Sequence, residues 1–425
     1  MTFDRSCRGL AALALLVACS SNDEAGKPDG QSPTLPAGED ARLYVWLHDA
    51  DGEGPDFLAV VGADPGADDY GQVLTTIPAG EVRGDAHHTS LVMPSSGILF
   101  ANDFLGNHSY IFDTQTGDGA ALVGSFGGIN EYASAHSFAE LPNGNILATY
   151  QSKGDKNQTP GGLVELRLDG QVVQLGDADP GDSKIFVRPY GLVLLPDSDR
   201  VVVTTFDMRG AGLARHIQVW RLSDLTLLQT LPVPDSPTRE TSINPFEGRV
   251  LADGETVMFE TLSCGLYLLT GVGDDAPVIR FVHDFESEYC GVPVRLGDYW
   301  VQPLEAETEG GDNGIVVLDI TNPRSPVEVD RMSFDTSFGP HWSSRNRDGT
   351  RIVINGYYDN LMRRTMMLTF DPGSGQIAID QTFGEGDSFG PGLMIDREVW
   401  PHGATGPAIA HGAVFWPPAR PDWQN

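Results

Sequence analysis

One segment of this chain recurs seven times, and the recurrence leaves few folds open. Its clearest copy is Ser134–Tyr150, SAHSFAELPNGNILATY: an apolar run opening at His136, then Pro142, an Asn-Gly pair and a second β-rich run. That order reads as a strand, a tight turn and an antiparallel partner strand. The same register returns at His88 (HTSLVMP, ending at Pro94), Tyr190 (YGLVLLP, ending at Pro196) and His411 (HGAVFWP, ending at Pro417). His341 opens HWSSRNRDG, with Arg347 in the proline's place, and degenerate copies start at Ile243 (INPFEGRVLADG) and Cys290 (CGVPVRLGD).

Each of the first six copies is followed by further short β-rich runs. After Tyr190 these are VVVTTF, IQVWRL and LLQTLPV; after Cys290 they are YWVQPL, GIVVLDI and VEVDRMSF. Four short strands in a repeat of roughly 40–50 residues is the pattern of a β-propeller blade. The two ends of the domain complement each other. The His411 copy supplies a first strand and little more, whereas LYVWL from Leu43, DFLAVVGAD from Asp56 and QVLTTIP from Gln72 lack one. Joined, they make a seventh blade and leave the ring without a free sheet edge. The expected fold is all-β, a seven-bladed β-propeller closed by one C-terminal and three N-terminal strands.

Gly 50 and Pro 29 among 425 residues, with few helix-like periodic runs, agree with a turn-rich β protein. Residues 1–19 read as a lipoprotein signal peptide: Arg5 and Arg8, an apolar run too short to span a membrane as a mature helix, then Leu16-Val17-Ala18-Cys19, similar to a lipobox. Cys19 is the expected lipidated residue. Residues 20–40 are a polar tether, and 41–425 form the propeller domain. The expected location is therefore outside the cytoplasm, facing the periplasm or cell exterior, with the membrane reached only through lipid. A net charge of −32 argues against nucleic acid or anionic lipid as a partner. Cys264 and Cys290 remain; an oxidising compartment suggests a disulfide, but buried free thiols fit the spacing equally.

Propeller first strands line the central channel and run in one direction, so the repeat's opening position recurs at one level, expected at the channel mouth. Histidine stands there in four copies, His88, His136, His341 and His411, and His87 adjoins His88. A single histidine in such a place is more often a packing residue. Several imidazoles converging on an axis are a metal-ligand set suited to copper, zinc, iron or nickel. Successive strand residues face opposite ways, so His87 and His88 both reach the axis only from a loop or a bulge. His402 could lie near the mouth, while His48, His108, His216 and His283 fall in outer strands or turns. The acidic run from Asp49, DADGEGPD, lacks the rest of an EF-hand and reads as a solvated turn. No G-x-S-x-G, phosphate loop or dinucleotide fingerprint occurs.

At these residues the chain resembles the selenium-binding protein family, whose bacterial members include methanethiol oxidases. GDAHHTS at Gly84–Ser90 is similar to that family's G-D-x-x-H-H motif, and AHSFAELPNGNILATY to its H-T-S segment. GPHWSSRNRDGTRIVI from Gly339 resembles its P-H-W segment, and GPAIAHGAVFWPPARPDW at Gly406–Trp423 its C-terminal G-P-A-x-A-H-E segment. The resemblance implies a propeller with a copper centre held by His87, His88, His136 and His411; His341 matches a position that is histidine in part of the family. Ser90-Leu91-Val92-Met93 replaces the family's W-N-x-C-S-S-C stretch, so the cysteine associated with selenium is absent. The expected function is copper-dependent oxidation of a small thiol. The alternative is a non-enzymatic propeller lipoprotein that binds a ligand or partner.

Overall fold

In the computed structural model the described residues are 41–82, 84–154, 159–210, 212–274, 276–306, 311–334, 338–356, 364–386 and 390–422. The expected signal peptide, Cys19 and tether lie outside them. Among the described residues no helix is long and apolar enough to cross a membrane. The expected β-propeller is what forms: seven small antiparallel sheets in a ring, with the four main strands of blades 1 to 6 in chain order from inside to outside. The innermost strands of blades 1 to 4 are Ala86–Thr89, Tyr132–Glu140, Pro189–Leu195 and Pro245–Val250. Blade 6 begins with Pro340–Arg345. Blade 7 places Gly406–Trp416 innermost and pairs it antiparallel with Arg42–Asp49, so the C-terminal and N-terminal strands close the ring as the repeat pattern predicts.

Burial falls from the axis outward. The first strands are almost wholly buried, as in Pro189–Leu195, whereas the fourth strand of blade 1, Ala121–Phe126, is mostly exposed. Second and third strands are sandwiched on both faces, which explains runs such as VVVTT that do not alternate. Each sheet buries its faces against its two neighbours. Tyr44, Trp46, Leu58 and Val60 of blade 7 pack on Leu99, Ala101 and Phe112 of blade 1, and comparable clusters fill the other junctions. The ring is held by side-chain packing between blades, with side-chain hydrogen bonds from second strands to the innermost strand of the next blade.

Blade 5 departs from the repeat. Its innermost strand is broken into Tyr289–Cys290 and Val294–Leu296, so Cys290 does not occupy a channel-facing position. It forms a disulfide with Cys264 at the second turn of blade 4, the Cα atoms 5.2 Å apart. This resolves the alternative left open by the spacing. A closure spanning a sequence separation of 26 contributes about 3 kcal/mol on a chain-entropy basis. The acidic turn after Asp49 is satisfied from within: Asp49 accepts from the Gly54 N–H and Asp51 from the Glu53 N–H.

Candidate metal centre

The first strand of each intact blade carries one extra residue at the same level. Registers slip between Ala86 and Thr89, Ala135 and Phe138, Pro189 and Leu192, Pro245 and Gly248, and Pro340 and Trp342, and opposite Val45–Leu47 in blade 7. These are β-bulges, which re-aim side chains. The repeat's opening position sits inside them at His88, His136, Tyr190, His341 and His411, whereas in blade 4 the bulge holds Phe246 and Glu247 and not the expected Ile243. In blade 1 the bulge lets His87 and His88 turn to the same side, their rings stacked 4.6 Å apart.

The bulges of blades 1, 2, 3, 4 and 7 are each tied by a polar residue on the second strand of their own or the preceding blade. Asn102 accepts from the His88 N–H (2.6 Å) and donates to the carbonyls of Ala135 (2.6 Å) and His136 (3.3 Å) in the next blade. Thr149 accepts from the Ser137 N–H and donates to the Tyr190 carbonyl; Thr204 does the same for Gly191 and Phe246. Asn355 donates to the His411 carbonyl at 2.9 Å. Sequence reasoning missed these residues. The signal available was a polar side chain inside an apolar second strand, 12 to 14 residues after the N–H it binds.

Three consecutive blades, 7, 1 and 2, bring their histidines together. Ligand nitrogens of His87, His88 and His411 lie within 4.8 Å of one another. The His136 ring is 4.0 Å from His88, and the His87 ring 4.0 Å from His411. His341 of blade 6 flanks the set, its ring 4.8 Å from His411, with Nδ1 hydrogen-bonded to the Glu305 carboxylate. The opposite side is aromatic. Tyr190 lies 3.7 Å from His136, and Trp342 meets His88 edge-on at 4.9 Å. Phe104 covers His87 and His136. The expected open mouth is therefore corrected: His87, His88, His136 and His411 are all sealed from solvent, because these large rings fill the channel. His402 lies elsewhere, bonded to Thr76 and packed on Phe57.

Burial, reinforced by the neighbouring histidines, pushes His87, His88 and His411 well below the ordinary imidazole value of 6.5 and His136 down to about 3. The four are neutral at physiological pH, the state that ligates metals. Both ring nitrogens of His88 and Nε2 of His136 are buried without a hydrogen-bond partner among the described residues. Buried polar atoms are ordinarily satisfied, so lone pairs aimed into a shared space fit a bound cation. Metal-free protein should reveal the cluster through its pH dependence. Below about 6.5 the unfolded chain protonates His136 and the folded chain does not, so stability falls as pH falls toward 3, by up to about 1.4 kcal/mol per pH unit for this group. In urea unfolding, His136→Asn should flatten the slope by about one proton; equal slopes would contradict this account.

The fold and site thus define a seven-bladed propeller with an all-imidazole cluster capable of holding a metal. Over 225 residues the chain is 28% identical to a methanethiol oxidase from Hyphomicrobium sp., a match covering 48% of this chain and 51% of that protein. The chain spans about half the length of the curated relative it matches. No family model matches the chain. Among solved structures, a protein described as a hypothetical selenium-binding protein from Sulfolobus tokodaii superposes with a TM-score of 0.67 at 15% identity, covering 89% of this chain and 94% of that one. A periplasmic gluconolactonase from Pseudomonas aeruginosa gives 0.58 at 14%, covering 89% and 98%, which shows how widely the fold is shared. The chain is thus similar in sequence to a methanethiol oxidase and in fold to a selenium-binding protein.

Proposed function

We propose that this protein is a copper-dependent oxidase of a small thiol, exported and tethered to a membrane by lipid at Cys19. One observation carries the catalytic reading: four neutral, solvent-sealed imidazoles from three consecutive blades meet, and both ring nitrogens of His88 and Nε2 of His136 have no hydrogen-bond partner among the described residues. Imidazoles suit copper, zinc, iron and nickel. The similarity to a methanethiol oxidase supports copper among them. Copper in this place supplies one-electron chemistry between a thiol and dioxygen.

The chain's own residues do the rest. His87, His88 and His411, with His136 beside them, would hold the ion, and Asn102 fixes the backbone behind His88 and His136. Tyr190, Trp342 and Phe104 exclude water and leave an apolar surround that a small thiol suits better than a polar substrate. His341, oriented by Glu305 at the edge of the cluster, accepts the thiol proton. Oxygen uptake with methanethiol and other small thiols tests this reading. Copper-loaded protein should consume oxygen and zinc-loaded protein should not; equal rates, or none with any small thiol, would reject it.

Export and anchoring rest on residues 1–19 and are supported by the Cys264–Cys290 disulfide, a bond suited to an oxidising compartment. Cys19→Ala should abolish incorporation of labelled fatty acid in the bacterial host. Label retained in that variant would refute lipidation at Cys19.

A further inference from the structure

The channel end away from the histidines carries a different chemistry. Arg249, Arg295 and Arg345 lie on the innermost strands of blades 4, 5 and 6, roughly 10 Å beyond the histidine level at the rise of an extended strand. They converge on one carboxylate, that of Asp422 in the segment after the last strand. Arg345 Nη2 donates to it at 3.2 Å, while Arg249 Nε and Arg295 Nη2 stand 3.9 Å away, beyond hydrogen-bond reach. The space is wider than the carboxylate held in it. A cavity of about 110 Å³ adjoins, lined by these four residues, by Glu140, whose carboxylate is held by Ser95, and by apolar groups such as Leu192 and Val294.

The charges are also incompletely matched. Glu247 pairs with Arg249 at 3.0 Å, which leaves Arg295 and Arg345 to share Asp422. Arg295 is only 3% exposed, and its buried Nε has no hydrogen-bond partner among the described residues. Removing guanidinium groups from water is costly unless acceptors complete them, and their forked donors match planar or tetrahedral oxyanions.

We propose that this end of the channel binds a small organic anion, a carboxylate or sulfonate with a short apolar body, and that Asp422 is an internal ligand which the anion displaces. The guanidinium groups take the head and the apolar wall takes the body. Calorimetric titration of the purified protein with butanesulfonate, at ionic strength held constant with sodium chloride, tests this directly. Asp422→Asn should bind about tenfold more tightly than the wild type, and Arg345→Gln in that background should cancel the gain. Unchanged affinity in Asp422→Asn, or a gain that survives Arg345→Gln, would overturn the proposal. Thermal unfolding gives a second readout that does not require the Asp422 variant. Butanesulfonate should raise the wild-type Tm and not that of Arg345→Gln; an equal rise in both would overturn the site. Neither readout depends on a metal at the histidines.

Discussion

His88→Ala and His411→Ala should each cost the protein its metal, whereas His341→Gln should keep the metal and lose turnover. His88 and His411 sit inside the cluster with every side of the imidazole buried, so truncation leaves both a missing donor and a cavity that the surrounding rings cannot close. Replacing residues that merely orient metal ligands typically costs ten- to a hundredfold in affinity; removing a ligand should weaken copper binding by at least about a hundredfold. His341 stands at the edge and spends Nδ1 on Glu305. Its glutamine variant should retain copper while thiol oxidation slows by about 10²–10⁴-fold, the range for loss of a positioned proton acceptor. Equilibrium dialysis and oxygen uptake separate the two behaviours. Equal metal loss in all three variants would make His341 a ligand, and metal retained in His88→Ala would place the ion elsewhere.

Asn102→Leu should be the most damaging substitution among residues that never touch the ion. The amide holds the His88 N–H and the carbonyls of Ala135 and His136, and all of these groups are buried. Leucine leaves them without partners and leaves no room for water, at about 1–3 kcal/mol for each lost bond. A loss of about 3 kcal/mol or more in urea unfolding is expected, with copper affinity falling as well, because the same bonds set the bulges that aim His88 and His136. Asn102→Thr should recover part of both, since Thr149 and Thr204 already serve that role in blades 2 and 3. A leucine variant with wild-type stability and copper affinity would show that the bulges hold their shape without the side chain.

The blade count and the closing strands were legible because propeller geometry forces a sequence period: His136, Tyr190 and His411 open strands that must start at one level. The metal-centre candidates were legible for the same reason, since four histidines share that level. Four features were not. Spacing left a loop or a bulge open for His87 and His88, and it is the bulge that forms, tied by Asn102, whose bonds join two blades and carry no local signature. The Glu305–His341 contact joins residues from blades 5 and 6 and carries no local signature. Cys290 fitted the repeat by spacing, yet its sulfur is committed to Cys264, and the strand breaks beyond it. The sealed channel also escaped prediction, because no local signature shows that the rings of Trp342 and Phe104 pack on His88, His87 and His136.

Metal analysis of the purified protein, produced with copper supplied and set beside its His136→Ala and His411→Ala variants, tests the central claim most directly. Stoichiometric copper in the wild type and its loss in both variants is the expected result. No stoichiometric copper in the wild type, or a copper content that neither substitution changes, would contradict it.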